Sequence, residues 1–317
     1  MSDLSLAVTV PGALDGERLD KVVSILGDVP RARAAALVAG GLVVLDGDVV
    51  GDRSRRVREG QRLEVEIPAV EADLPSADSS VEFPVVFEDE HVVIVDKPAG
   101  LVVHHGAGHH GGTLIDGLLA RFPDLIDLPS RGAGDAGRPG IVHRLDKGTS
   151  GLLAIARSAL AFEALTAQLR RRTVGRSYLS LLDGSVSEDR GVVDAPIGRS
   201  EREPARMAVA RQGRPARTHY EVRNRFSSPF PASYVEARLE SGRTHQIRVH
   251  LAAIGHPVVG DDRYGLRKGG AERLIGLDAG RNFLHAAYLA LDHPVRGRME
   301  WRSDLPEDLS KALSLFA

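Results

Sequence analysis

The apolar positions of this chain change period several times, and each change marks an element. Leu19, Val22, Val23 and Leu26 recur at helical spacing, and a second short helix is expected over Arg31–Ala39, stopped by Gly40 and Gly41. Apolar residues at 42–45 and 49–50 flank Asp46-Gly47, a pair suited to a tight primed turn, so a hairpin is expected there; Leu63, Val65 and Ile67 then alternate as a strand. Further along, the runs at 92–95, 101–103, 141–142, 152–156 and 176–182 read as strands. Ile247, Leu251 and Ile254 stand at i, i+4 and i+7 after Thr244, a good helix cap, and Gly255 with Pro257 closes that helix. The stretches 68–80 and 127–140 are rich in Gly, Pro, Ser or acid without any period, which marks a linker and a long loop.

These patterns divide 317 residues into a small module at 1–70, a linker at 71–82 and a large domain at 83–317. With 43% hydrophobic and 26% charged residues, the composition is that of a globular protein with a sizeable core. No apolar run reaches the roughly 20 residues that span a bilayer, the N-terminus lacks a secretory pattern, and there is no cysteine for a disulfide or thiolate site. Cytoplasmic residence and a monomer are the expectations. The net charge of −2 does not advertise a nucleic-acid binder, but the arginines are clustered: Arg170, Arg171, Arg172 and Arg176, then Arg199, Arg202, Arg206, Arg211, Arg214 and Arg217. The planar guanidinium pairs bidentately with phosphate, so these runs are candidate contacts to an RNA backbone, Arg170, Arg171, Arg172, Arg176 and Arg206 foremost.

The segment GIVHRLDKGTSGLLAIA (140–156) carries the strongest chemical signal. Apolar residues lead into His143, Arg144, Leu145 and Asp146, and a cluster of breakers (Gly148, Thr149, Ser150, Gly151) precedes the next strand. A cation and a carboxylate are thus held in a tight connection on a rigid scaffold, where catalytic groups tend to sit. The histidines at 104, 105, 109 and 110 invite a metal reading, but a glycine-rich loop offers no ordered tetrahedron and lacks the His-Glu-x-x-His spacing, so no metal is expected.

HRLD followed by TSG resembles the active-site motif of the RluA/RluD-type pseudouridine synthases. The resemblance recurs in order along the chain: DKPAGLVVHH (96–105), RSYL (176–179), GRTHQIRVHLAAIGHPVVGD (242–261), and LHA followed by HP (284–294). Residues 15–67 resemble the small RNA-binding module first known from ribosomal small-subunit protein four, with a departure: the second helix reads AAALVAGG where such modules carry basic residues. The resemblance implies an α+β fold, in which a small N-terminal α/β RNA-binding module precedes a catalytic domain built on a mixed, mostly antiparallel sheet with flanking helices. It implies isomerisation of specific uridines in structured RNA, most like the branch acting on large-subunit (23S) ribosomal RNA, with no cofactor. Asp146 would be the catalytic carboxylate and Arg248 its partner, a pairing that favours the charged form of a carboxylate by about 1–3 pKa units. Tyr178 would stack on the uracil and take a proton late in the reaction. Arg144 would fill the gap left by the flipped nucleotide, Leu284 would pack beside the base, and His143, Lys97 and Arg243 would contact substrate. Two other readings remain open, the same chemistry on transfer RNA and a non-catalytic ribosome-assembly factor that binds RNA.

Overall fold

A computed structural model describes all residues except 1–3, 30, 68–73, 106–110, 201, 204–205 and 266–274. The chain forms two units, 1–72 and 73–317. In the first, strands β1 (Leu4–Thr9), β2 (Val43–Leu45), β3 (Asp48–Val49) and β4 (Arg62–Ile67) form an antiparallel sheet in the order β1-β4-β2-β3. Helices α1 (Leu19–Leu26) and α2 (Arg31–Ala39) supply Leu19, Val22, Val23, Ala34, Leu37 and Val38 to a core shared with Val43, Leu63 and Val65. Asp46 and Gly47 both take positive φ, 54° and 92°, as the primed turn of the expected hairpin requires. β1 has no counterpart in the sequence reading. Several basic groups of this unit are paired within it: Arg18 and Arg31 with the buried Asp20, and Lys21 with Glu17.

The second unit is built on one nine-stranded sheet: β5 (Val85–Glu88), β6 (Val92–Lys97), β7 (Ser150–Ala156), β8 (Gly175–Asp183), β9 (Arg190–Asp194), β12 (Arg217–Phe226), β13 (Ala232–Leu239), β14 (Leu284–His293) and β15 (Gly297–Arg302). A separate antiparallel pair, β10 (Ile197–Arg199) and β11 (Met207–Val209), lies outside it. The order is β5-β6-β7-β14-β8-β13-β12-β9 with β15 beside β14, and every pair is antiparallel except β7 with β14, so the sheet is mixed as expected. Helices α3 (Leu114–Arg121), α4 (Ala159–Arg171), α5 (Gln246–Ala253) and a C-terminal helix, Glu307–Leu313, complete it. The buried run β7 has polar groups only at its entrance, and it lies beside β14 at the middle of the sheet. β14 lies between β7 and β8, and its first residues pair with the start of β7 on one side and the middle of β8 on the other.

Three local expectations fail. Residues 101–103 are not a strand: the carbonyls of Val102 and Val103 accept from the first amides of α3, and that of Leu101 accepts from Lys97 Nζ. Residues 141–142 give only an isolated bridge, Ile141 to Ile155. Thr244 does not cap α5; His245 occupies that position in a left-handed conformation (φ 57°), and the Gln246 side chain accepts from the Arg243 amide. The neighbouring sheet and helices outcompete the local signal each time. Residues 71–73 of the expected linker and His109 and His110 lie outside the described residues; among those described, no cluster of potential metal ligands is found.

Candidate active site

Asp146 lies in the connection before β7, and close backbone approaches fix its position. A Cβ on Gly148 would stand 2.2 Å from the Gly280 carbonyl oxygen, and one on Gly151 (φ 113°) 2.4 Å from that of Ala286, so only glycine lets this loop press on the segment entering β14. That segment holds the loop in return. Thr149 Oγ1 donates to the Asn282 side chain at 3.1 Å, and Arg281 donates to the Gly148 carbonyl at 2.8 Å and Ser150 Oγ at 2.9 Å. Arg281 and Asn282 were not legible as site residues, because nothing local connects them with a loop more than 130 positions earlier.

Arg248, in the first turn of α5, donates through Nη1 to Asp146 Oδ2 at 2.9 Å. This neighbour is the one the motif implies, and a third member joins the pair that the motif does not reveal. Asp261 takes Arg248 Nε at 2.6 Å and Nη2 at 2.8 Å and also accepts from the amides of Arg263 and Tyr264. Burial works against both charges, but the paired hydrogen bonds prevail: Arg248 is pushed above its ordinary pKa and Asp261 below its own. The signal was the GDD of the 258–265 stretch, fifteen residues downstream of the helix start. His245 is a second missed neighbour. Its Nε2 stands 3.9 Å from Asp146 Oδ1, and its Nδ1 lies 2.8 Å from the Tyr264 hydroxyl, which accepts from the Met207 amide. Burial lowers the pKa of His245 despite the pull of Asp146.

Asp146, Tyr178, Arg248 and Leu284 line one cavity of about 740 Å³, a volume that suits a nucleotide-sized ligand. Tyr178 on β8 and Leu284 on β14 come from hydrogen-bonded neighbouring strands. Burial raises the pKa of the Tyr178 hydroxyl, which keeps it a neutral phenol at ordinary pH. His143, Arg144, Arg170, Arg176 and Arg243 share the cavity, as do Gly134, Asp135 and Arg138 of the long loop. Arg144 and Arg170 are exposed, and Arg243 reaches the Pro215 carbonyl. His143 has a structural duty instead: Nε2 accepts from the Ala154 amide at 3.0 Å, and burial, aided by the Arg176 charge, pushes its pKa down to about 3.

Lys97 is no substrate contact in this structure. It is wholly buried, and Nζ donates to the carbonyls of Pro98, Leu101 and, at 3.4 Å, Lys147; burial pulls its pKa to about 7. It ties the 98–101 turn to the Asp146 loop. Arg176 is no surface contact either: it is 7% exposed, in the cavity wall. Arg171 and Arg172 are exposed but lie off the cavity, Arg172 pairing with Glu240. Arg206 pairs with Glu203 and lies over the Tyr264 ring, also outside the cavity lining.

The cavity therefore offers a held carboxylate, an aromatic wall, an apolar wall and a basic rim. That combination suits one planar, uncharged base drawn from a phosphate-bearing chain. Residues 91–253 match the family model described as RNA pseudouridylate synthase, and residues 17–63 match that of the S4 domain. The chain is 41% identical over its whole length to ribosomal large subunit pseudouridine synthase D of Pseudomonas aeruginosa, covering 97% of that protein. It is 39% identical to an uncharacterized RNA pseudouridine synthase of Bacillus subtilis, covering 96% of each chain. Among solved structures it resembles human RNA pseudouridylate synthase domain containing 1, with a TM-score of 0.58 at 28% identity, over 76% of this chain and 91% of the human one.

Proposed function

The chain belongs to the RNA pseudouridylate synthase family, and from that premise we propose that it converts specific uridines of large-subunit (23S) ribosomal RNA to pseudouridine, with Asp146 as the catalytic carboxylate. RNA is the partner; the substrate class follows the relatives named for the large subunit. One observation supports the assignment of Asp146 above all: the 2.9 Å contact with Arg248 inside a cavity walled by Tyr178 and Leu284. A merely RNA-binding assembly factor has no use for a carboxylate held by a doubly anchored guanidinium.

In this reading the target uridine leaves its stack, at a cost of a few kcal/mol, and enters the cavity. Tyr178 stacks on the uracil, at about 1–3 kcal/mol per base, and Leu284 packs on its other side. Arg144, next to Asp146 in sequence yet exposed, occupies the gap in the RNA. Arg243, Arg170, Arg171 and Arg172 meet backbone phosphates, and the S4-type unit adds a second contact. The protein acts as a cytoplasmic monomer; no described helix is long and apolar enough to cross a membrane.

Two measurements test this. Mapping pseudouridine in total RNA with and without the gene should remove specific sites from large-subunit ribosomal RNA, whereas sites lost from transfer RNA would redirect the substrate. Asp146→Asn should fold and bind RNA while forming no pseudouridine, and turnover above background would take Asp146 out of its role.

A further inference from the structure

Arg176 carries a buried charge that no described residue answers. Its side chain is sealed to 7% exposure, its Nε has no hydrogen-bond partner, and among the described residues no carboxylate lies within ion-pair distance of it. Burying an unpaired guanidinium is strongly unfavourable, so a group left in this state points to a ligand that completes it. Arg176 stands two residues before Tyr178 on β8, which places both side chains on one face of the strand, and both line the cavity. Its Nη1 is so near Gly242 that a Cβ there would stand 2.7 Å away; the bare backbone at 242 makes room for it.

The other cations of the inner wall are occupied. Arg248 gives Nε and Nη2 to Asp261 and Nη1 to Asp146, and His143 uses Nε2 on a backbone amide. The proposed reaction, however, generates negative charge on the base. When C1′–N1 breaks, the bonding pair leaves with uracil and spreads over N1, O2 and O4; addition of a carboxylate to ring C6 would load O4 likewise. C1′–C5 then forms, C5 loses its proton and N1 gains one, so the isomerisation balances without a co-reactant. Asp146 has the wrong sign to stabilise this charge.

We propose that Arg176 is a catalytic residue: its guanidinium donates to a carbonyl oxygen of the flipped uracil and stabilises the negative charge that collects there. The inference rests on the pseudouridine synthase reading. A phosphate contact suits the exposed Arg144 and Arg170 better than a side chain in the wall beside the Tyr178 ring.

The test uses the full chain with Arg176→Met and Arg176→Lys, a transcript of large-subunit ribosomal RNA, and rates at saturating enzyme. Loss of a preorganised donor to a developing oxyanion costs about 100- to 1000-fold in rate. Arg176→Met should therefore lose that much, bind RNA within about threefold of the wild type with the same salt dependence, and melt no lower, because an unanswered charge has been replaced by an apolar chain. Arg176→Lys should recover part of the rate. A normal rate at saturation, with weaker binding and a salt dependence reduced by about one contact, would mean a phosphate contact and overturn the proposal. If Arg176→Met does not fold, Arg176→Lys reads the same division between rate and binding. A wild-type protein inactive on every RNA sinks the functional reading itself; an active wild type matched by an equally active Arg176→Met sinks this inference alone.

Discussion

Asp261 grips Arg248 by two hydrogen bonds, at 2.6 and 2.8 Å, and thereby leaves a single donor, Nη1, to face Asp146. The three residues form a chain in which the outer carboxylate is completely enclosed and the inner one remains partly open to the cavity. Neutralising the two carboxylates should therefore cost very different amounts of stability.

Asp261→Asn removes one partner of a buried ion pair and should cost about 3–5 kcal/mol of stability, together with most activity. Asp146→Asn should change stability little, since Arg248 keeps Asp261. Urea unfolding of both variants checks the contrast, and equal losses would mean that Asp261 has no special hold on Arg248.

Arg248→Lys should lose at least about 100-fold in rate despite its equal charge, because an ammonium cannot reach both carboxylates with the geometry of the planar fork. Measured pseudouridine formation near the wild-type rate would remove the fork from the mechanism.

Gly148→Ala sets a Cβ against the Gly280 carbonyl, where backbone rather than a side chain must yield. Overpacking of this kind costs about 1–3 kcal/mol, and a displacement of about 1 Å at a reacting group can cost about 100-fold in rate. Gly51→Ala, with nothing within 4 Å of its new carbon, is the control and should leave both quantities unchanged.

His143 gives a pH signature. Its folded pKa, about 3, lies below the ordinary value of 6.5, so above pH 6.5 the ring is neutral in both states and contributes no slope. As pH falls below 6.5 the unfolded chain takes up a proton that the fold refuses, and stability drops by up to about 1.4 kcal/mol per unit until the folded pKa is reached. His143→Gln keeps an acceptor for the Ala154 amide and has no such proton. Between pH 7 and 5 the wild type should lose about 1–2 kcal/mol more than the variant. Parallel losses would show that the ring is not held neutral.

Helices α1 and α2 and the Asp46-Gly47 hairpin were legible because their signals are local: helical spacing, a glycine stop, and two positive φ angles that this pair accepts. β7 was legible because the apolar run Leu152–Ala156, opening directly after Gly151, has few alternatives. The 101–103 run failed for the opposite reason. Its apolar side chains fit a strand, but its carbonyls were claimed by α3 and by the buried ammonium of Lys97, partners that spacing does not reveal. Arg176 failed likewise, since membership of an arginine run suggests a solvated face and only the packing of β8 puts it in the wall.

The order of motifs along the chain determined the family, the position of the Asp146 loop and the need for a guanidinium beside it, because these follow from residue identity and near neighbours. Tertiary structure alone decided which cation is answered and which is not. Asp261 against Arg248, Asn282 against Thr149 and the unpaired Nε of Arg176 depend on segments up to 133 positions apart meeting across one sheet, and hydrogen bonding at 3 Å is settled by that meeting rather than by any local pattern.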